Sequence, residues 1–346
     1  MSAPPPAPPT LSPSSPAQVF RKTLLAMAAV ALALISWRLL DLLLLLFASA
    51  LAAIMFHGLA VVLQRWLRLP FGAALAVAVL VPLIAVLIIF GLFGNLMVGQ
   101  FMALAAQWPA ALAAIKAWLA GTQTGREIIA GLDGYAPEVG TVMRFAQSML
   151  ANLGSGLSGL AVVLVGGIYL AAQPELYVEG MINLAERAGL SRTRQTLAAI
   201  HTALMAWLKG QAVGMAFVAI GTAIGLSLVG LPSAIAIGLV AGLCEFVPYL
   251  GVILVSVPAV VIGFGMGVQT GILTIVALVV VQQLQGNVVT PMAQGKFADL
   301  PPALTIFSLI GAAVLMGALG AVLAVPLTVV GVVLLKASLP PKPGVA

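Results

Sequence analysis

Glu245 is the residue of this chain whose type and setting best suit chemistry. It stands within an apolar run, three positions before the break Pro248-Tyr249-Leu250-Gly251. At a Pro/Gly break in a membrane helix, backbone carbonyls and half-helix ends become available to a cation. A carboxyl held in lipid is costly to charge, so its presence there points to function, with proton carriage the natural role. Pairing with an arginine or capping a half-helix is the structural alternative. A second group follows along the chain: Gln282, Gln283, Gln285, Asn287, Thr290 and then Pro291. Amide side chains offer both donors and acceptors, which suits a solute path. Hydrogen bonding between neighbouring helices explains them equally well. A third set, Gly317, Gly320 and Pro326, interrupts another apolar run.

The remaining polar residues carry less. Lys296 and Asp299 read as a solvated loop pair, and Arg38 with Asp41 as an interfacial pair whose ends snorkel to the surface. His57, in an apolar run, reads as a packing residue, although a histidine there could titrate near neutrality. The chain has two histidines and one cysteine, Cys244, which leaves no disulfide within one chain and no zinc-ligand cluster or Cys–His pair. His-Glu-x-x-His, G-x-S-x-G and G-x-x-x-x-G-K-[ST] are all missing. No enzyme, cofactor or metal is therefore expected. Without a P-loop, active transport would have to run on an ion gradient.

The elements that hold these residues must be membrane helices. Of 346 residues, 62% are hydrophobic and 7% charged, and the mean hydropathy is +1.19. A soluble domain carries about 25% charged residues, so lipid must be the solvent for most of this chain. The formal net charge of +6 does not imply nucleic acid, because the basic residues lie between apolar runs and form no stripe. Cytoplasmic lysine and arginine that orient a membrane protein account for it.

A bilayer core about 30 Å thick takes about 20 apolar helical residues to cross. Residues 1–18, with seven prolines and no charge, are expected to form a disordered tail and not a signal peptide. Residues 19–98 hold three spans: Thr23 to Trp37, Leu42 to Leu63, and one from Pro70 with a kink at Pro82. Residues 99–150 read as amphipathic extracytoplasmic segments. Two spans in 151–230 flank a charged cytoplasmic helical loop, 173–209, with Gly210 opening the second of them. The broken-helix region is 231–336, and 337–346 is a cytoplasmic tail. Placing the N-terminus inside collects Arg21, Lys22, Arg65, Arg68, Arg187, Arg192, Arg194 and Lys209 there. It leaves Arg38, Lys116, Arg126 and Arg144 outside.

An internal repeat organises 231–336. One unit, 231–265, starts Leu231-Pro232-Ser233-Ala234 and breaks at Pro248-Tyr249-Leu250-Gly251, with Pro258 beyond. The other, 300–335, starts Leu300-Pro301-Pro302-Ala303 and breaks at Gly317-Ala318-Leu319-Gly320, with Pro326 beyond. The distance from start to break is the same in both. As one helix each unit would be about 50 Å long, too long for a single span, while its halves are too short to cross comfortably. Two re-entrant hairpins, inverted about one full span near Thr270 to Gln282, resolve the mismatch. Kinked, tilted spans are the alternative. Paired interrupted helices of this kind mark transporter binding sites.

These residues also carry a family likeness. Gly242-Leu243-Cys244-Glu245-Phe246-Val247-Pro248-Tyr249-Leu250-Gly251, Gly286-Asn287-Val288-Val289-Thr290-Pro291, and Gly317-Ala318-Leu319-Gly320 through Ala324-Val325-Pro326-Leu327 resemble the autoinducer-2 exporter family of transporters. Trp207-Leu208-Lys209-Gly210-Gln211 matches the start of its fifth span. The chain departs from the family at Leu300-Pro301-Pro302, usually a Leu-His-Pro-like sequence, and at Gln285, often acidic. The resemblance implies efflux of a small polar or amphiphilic solute such as autoinducer-2, or sodium/proton antiport, in the inner membrane as a homo-oligomer. The expected partners are thus the lipid bilayer and a small molecule or ion, without nucleic acid. An oligomeric channel or passive pore, or a non-transporting membrane scaffold, is the competing expectation. The expected fold is an all-α polytopic membrane protein of five to six full spans plus two broken helix pairs.

Overall fold

The computed structural model describes residues 20, 24, 25, 27, 39–88, 113, 116, 117, 120, 121, 123, 126, 159–187, 190, 192–248, 250–294 and 301–338. Two units divide the chain, 1–44 and 45–346. The first contributes a few helical positions and the start of α1. Every described element is helical. Most of the expected span from Thr23 to Trp37, the tail 1–18, most of 99–150, the Lys296–Asp299 pair and residues 339–346 lie outside the described residues.

Helix α1 is Leu40–Leu67 and α2 is Phe71–Ile88, the latter running on through Pro82. Helix α3, Gly159–Ala172, is followed by α4, Pro174–Arg187, bent from it by 87°. Helix α5 is Thr193–Val229. Its 37 residues form one helix through Gly210, so the second half of the expected charged helical loop is continuous with the span that follows it. Beyond it come α6 (Ala234–Cys244), α7 (Leu250–Met266), α8 (Val268–Leu284), a π-helical turn at Gln285–Val289, α9 (Thr290–Gln294) and α10 (Pro302–Ser338). Among the described residues, five helices are long and apolar enough, by length and composition, to cross a membrane, or six if the bent pair counts as one.

Small residues set the packing directions. Gly159 faces Leu45, Gly166 faces Ser49, Gly167 faces Ala52 and Phe56, and the His57 Nδ1–H donates to Ala171 O at 3.2 Å. Both partners advance together, so α1 and α3 run parallel. His57 is the packing residue its surroundings implied, its ring tilted against Phe71 at 5.3 Å. Around α5 the order reverses. Gly225 meets Ala277, Gly221 meets Val281 and Gly214 meets Gln285, so α8 runs antiparallel to α5. Gly238 and Gly242 lie directly on the α5 backbone, against Ala219 and Ala223, and against Met215 and Ala219. A Cβ there would stand within 2.5 Å of a carbonyl oxygen, so only glycine permits this approach.

Candidate functional site at the tip of a re-entrant hairpin

The first repeat unit folds back on itself. Leu231 bonds to Leu226 O, which puts the start of α6 at the C-terminal end of α5. Helix α6 then descends along α5 until Gln211 Nε2 donates to Glu245 O. After the break, α7 returns: Gly263 packs on Gly271 and Thr274, one turn before the Ala277 that meets Gly225. Both ends of the unit therefore lie at one end of α5. One buried cluster records the closure, uniting Leu226 of α5, Ala234 and Ile237 of α6, Ala259 and Ile262 of α7, and Leu278 of α8. From Leu226 to Gln211 the tip reaches about 22 Å along α5, a length more than half that of a bilayer core about 30 Å thick.

The second unit breaks at Gly317, whose φ of 66° and ψ of −155° belong to glycine alone. Gly320 then packs against Ala312 O, eight residues earlier; in an uninterrupted helix they would be about 12 Å apart. Gly251 does the same in the first unit, against Ala241 O and Glu245 N. The glycines that correspond in the sequence repeat thus make the corresponding turn, each letting a second limb close on the first. Pro258 and Pro326 are both buried in those second limbs.

Glu245, 1% exposed, sits at the first tip. Two successive tip residues dock on successive turns of one α5 face: the Phe246 ring lies edge-on to Trp207 at 5.8 Å, and Glu245 O accepts from Gln211. One turn beyond Gln211, Gly214 receives Gln285, whose Nε2 lies 3.6 Å from where a Cβ would stand. The polar segment is thereby brought beside the hairpin tip. Its backbone is widened into a π turn, in which Gln285 O accepts both the Thr290 N–H and, at 2.9 Å, the Thr290 hydroxyl. Such turns recur at functional sites.

Within the segment the side chains separate. Gln285 and Thr290 are half-buried, whereas Gln283, Asn287 and Pro291 are exposed. Gln282 Oε1 and Trp207 Nε1 are buried with no hydrogen-bond partner among the described residues. An orphan of this kind costs about 1–3 kcal/mol and is a point where a polar solute would gain a bond. Tyr249 lies outside the described residues; Pro248 is half-buried at the tip and Gly317 exposed at the second break. Helix α10 packs on α5 as well, so both hairpins share that helix. Among the described residues no group of three His, Cys, Asp or Glu could hold a metal ion.

Gln211 and Trp207 enter the site without having been singled out for it. The signal for Gln211 was a lone amide between Gly210 and Gly214 in an apolar run. Nothing in the local pattern distinguished Trp207 from a packing residue.

An all-helical protein with several membrane-crossing helices and a buried carboxylate at a re-entrant tip has the build of a membrane transporter. Comparison with known proteins agrees. The family described as AI-2E family transporter matches residues 24–339, and the chain belongs to that family. It is 38% identical over 123 residues to "Putative transport protein YueF" of Bacillus subtilis (strain 168), covering 36% of this chain and 33% of that protein. It is 22% identical over 162 residues to "Putative transport protein YrrI" of the same organism, covering 47% and 46%. The chain thus aligns with a third to a half of the length of these relatives.

Proposed function

We propose that this multi-pass protein is a secondary transporter, driven by an ion gradient. It would export a small polar or amphiphilic solute of the autoinducer-2 type, or exchange sodium for protons. The observation that carries this reading is the placing of Glu245. A buried carboxylate ends a hairpin long enough to reach past mid-membrane, and Gln211 and Gln285 stand within one turn of each other on the facing side. In this scheme Glu245 exchanges a proton or binds a cation. Gln211, Gln282 and Gln285 hold the solute through their amides, and Asn287 lies on the exposed approach to them. The protein works in the inner membrane with a cytoplasmic N-terminus, as the distribution of arginine and lysine supports. It acts as a homo-oligomer, in keeping with its family resemblance.

Glu245→Gln tests the scheme in proteoliposomes with an imposed pH gradient. The variant should insert normally and lose pH-dependent flux. Unchanged pH-dependent flux would remove Glu245 from the mechanism. Wild-type flux indifferent to both proton and sodium gradients would instead mark a passive pore.

A further inference from the structure

We propose that α4 is an interfacial helix that lies in the plane of the bilayer, with Tyr177, Met181 and Leu184 set into the boundary between lipid headgroups and acyl chains. Its orientation follows from its neighbours. Helix α1 has 28 residues and spans about 42 Å, and α3 runs beside it in parallel register from Gly159 to Ala171. Helix α3 therefore follows the membrane normal to within an ordinary tilt. A bend of 87° then lays α4 along the membrane plane.

Its depth follows from the same register. Ala171 is level with His57, about 12 Å short of Arg65 along α1. Arg65 and Arg68 are exposed beside Trp66, itself 85% exposed, a grouping typical of the membrane–water interface. Helix α4 thus begins between the cationic end of α1 and the apolar middle of the bundle.

The sequence of α4 fits that level. Tyr177, Met181 and Leu184 repeat at i, i+4 and i+7 on one face and are 41%, 56% and 72% exposed. Ile182, nearly opposite that face on the helix, is buried against the protein. Glu175, Glu179 and Glu186, at i−7, i−3 and i+4 from Ile182, flank it on the side away from the apolar face and are exposed. These carboxylates exclude a crossing helix, and the apolar face excludes a fully solvated one. Helix α3 likewise exposes apolar surface, at Val165 and Tyr169. The partner is accordingly lipid and not protein.

The test uses the full chain in nanodiscs of phosphatidylethanolamine and phosphatidylglycerol. A small fluorophore is attached at Met181→Cys, at Leu184→Cys or, as the water-facing control, at Glu179→Cys. Labelling of the unsubstituted chain measures the background from Cys244. At positions 181 and 184, lipids spin-labelled near the headgroup should quench severalfold more than lipids labelled deep in the acyl chain, and more than aqueous iodide. At position 179 iodide should dominate. Strong iodide quenching at 181 and 184 would show a solvated helix and overturn the proposal. Protection from both lipid and iodide would show a protein partner or second copy on this face, and overturn it equally.

Discussion

Adding one methyl group at Gly320 should pry the second hairpin open. A Cβ on Gly320 would stand 2.5 Å from Ala312 O and closer still to Met316 Cβ, where 3.4 Å is ordinary contact. The limbs would have to part by about 1.1 Å (3.4 − 2.3, from Met316 Cβ), and overpacking of this kind costs about 1–3 kcal/mol. Alanine also raises helix propensity, by up to about 1 kcal/mol. Gly331→Ala removes that complication. It lies in the second limb of the same hairpin, and a Cβ there meets nothing within 4 Å. The propensity gain is common to both variants, so their difference isolates the contact between limbs. Thermal unfolding of both variants in one detergent should place Gly320→Ala below Gly331→Ala by about 1–3 kcal/mol. Gly320→Ala should also lose solute flux in proteoliposomes. Equal unfolding temperatures for the two variants would show that the limbs do not meet at Gly320, and the fold-back would be wrong.

Three further outcomes are expected. Cysteines placed at Pro232 and Met266, exposed residues at the two ends of the first unit, should react with a membrane-impermeant reagent from the same side, because the hairpin returns to its own starting level; labelling from opposite sides would show a simple crossing. Gln211→Leu leaves the buried Glu245 carbonyl without its donor, which should cost about 1–3 kcal/mol in an unfolding assay. Unaltered stability and transport would mean that the tip is held by something else. Gly238→Ala drives a Cβ into the backbone of Ala219 and Ala223, so α6 should lift from α5 and the variant should unfold at lower temperature. Gly311→Ala, with open space around it, should not.

The site was legible in part. Glu245 stood out because a carboxylate in an apolar run is rare and costly. The amide cluster stood out because Gln282 to Thr290 concentrates polar groups where lipid-facing helices have few. That the two groups come together, and that Gln211 binds the backbone beside Glu245, was not legible. The bond joins positions 34 apart, and it exists only because α6 descends α5 in one register, set by Gly238 and Gly242 against the α5 backbone. The π turn was hidden for a related reason. Gln-Gly-Asn-Val-Val carries no hydrophobic period of its own, and its width is fixed by the bonds that Thr290 makes back to Gln285.

Composition alone settled that this chain dissolves in lipid, since so few charged residues cannot cover a surface facing water. The spacing of glycine and proline settled where two long apolar stretches are interrupted, because both residues alter the backbone whatever surrounds them. It left open whether an interruption kinks a helix or reverses it. That choice rests on one or two dihedral angles and a close contact between limbs, and only the packed molecule supplies the neighbour against which the second limb closes.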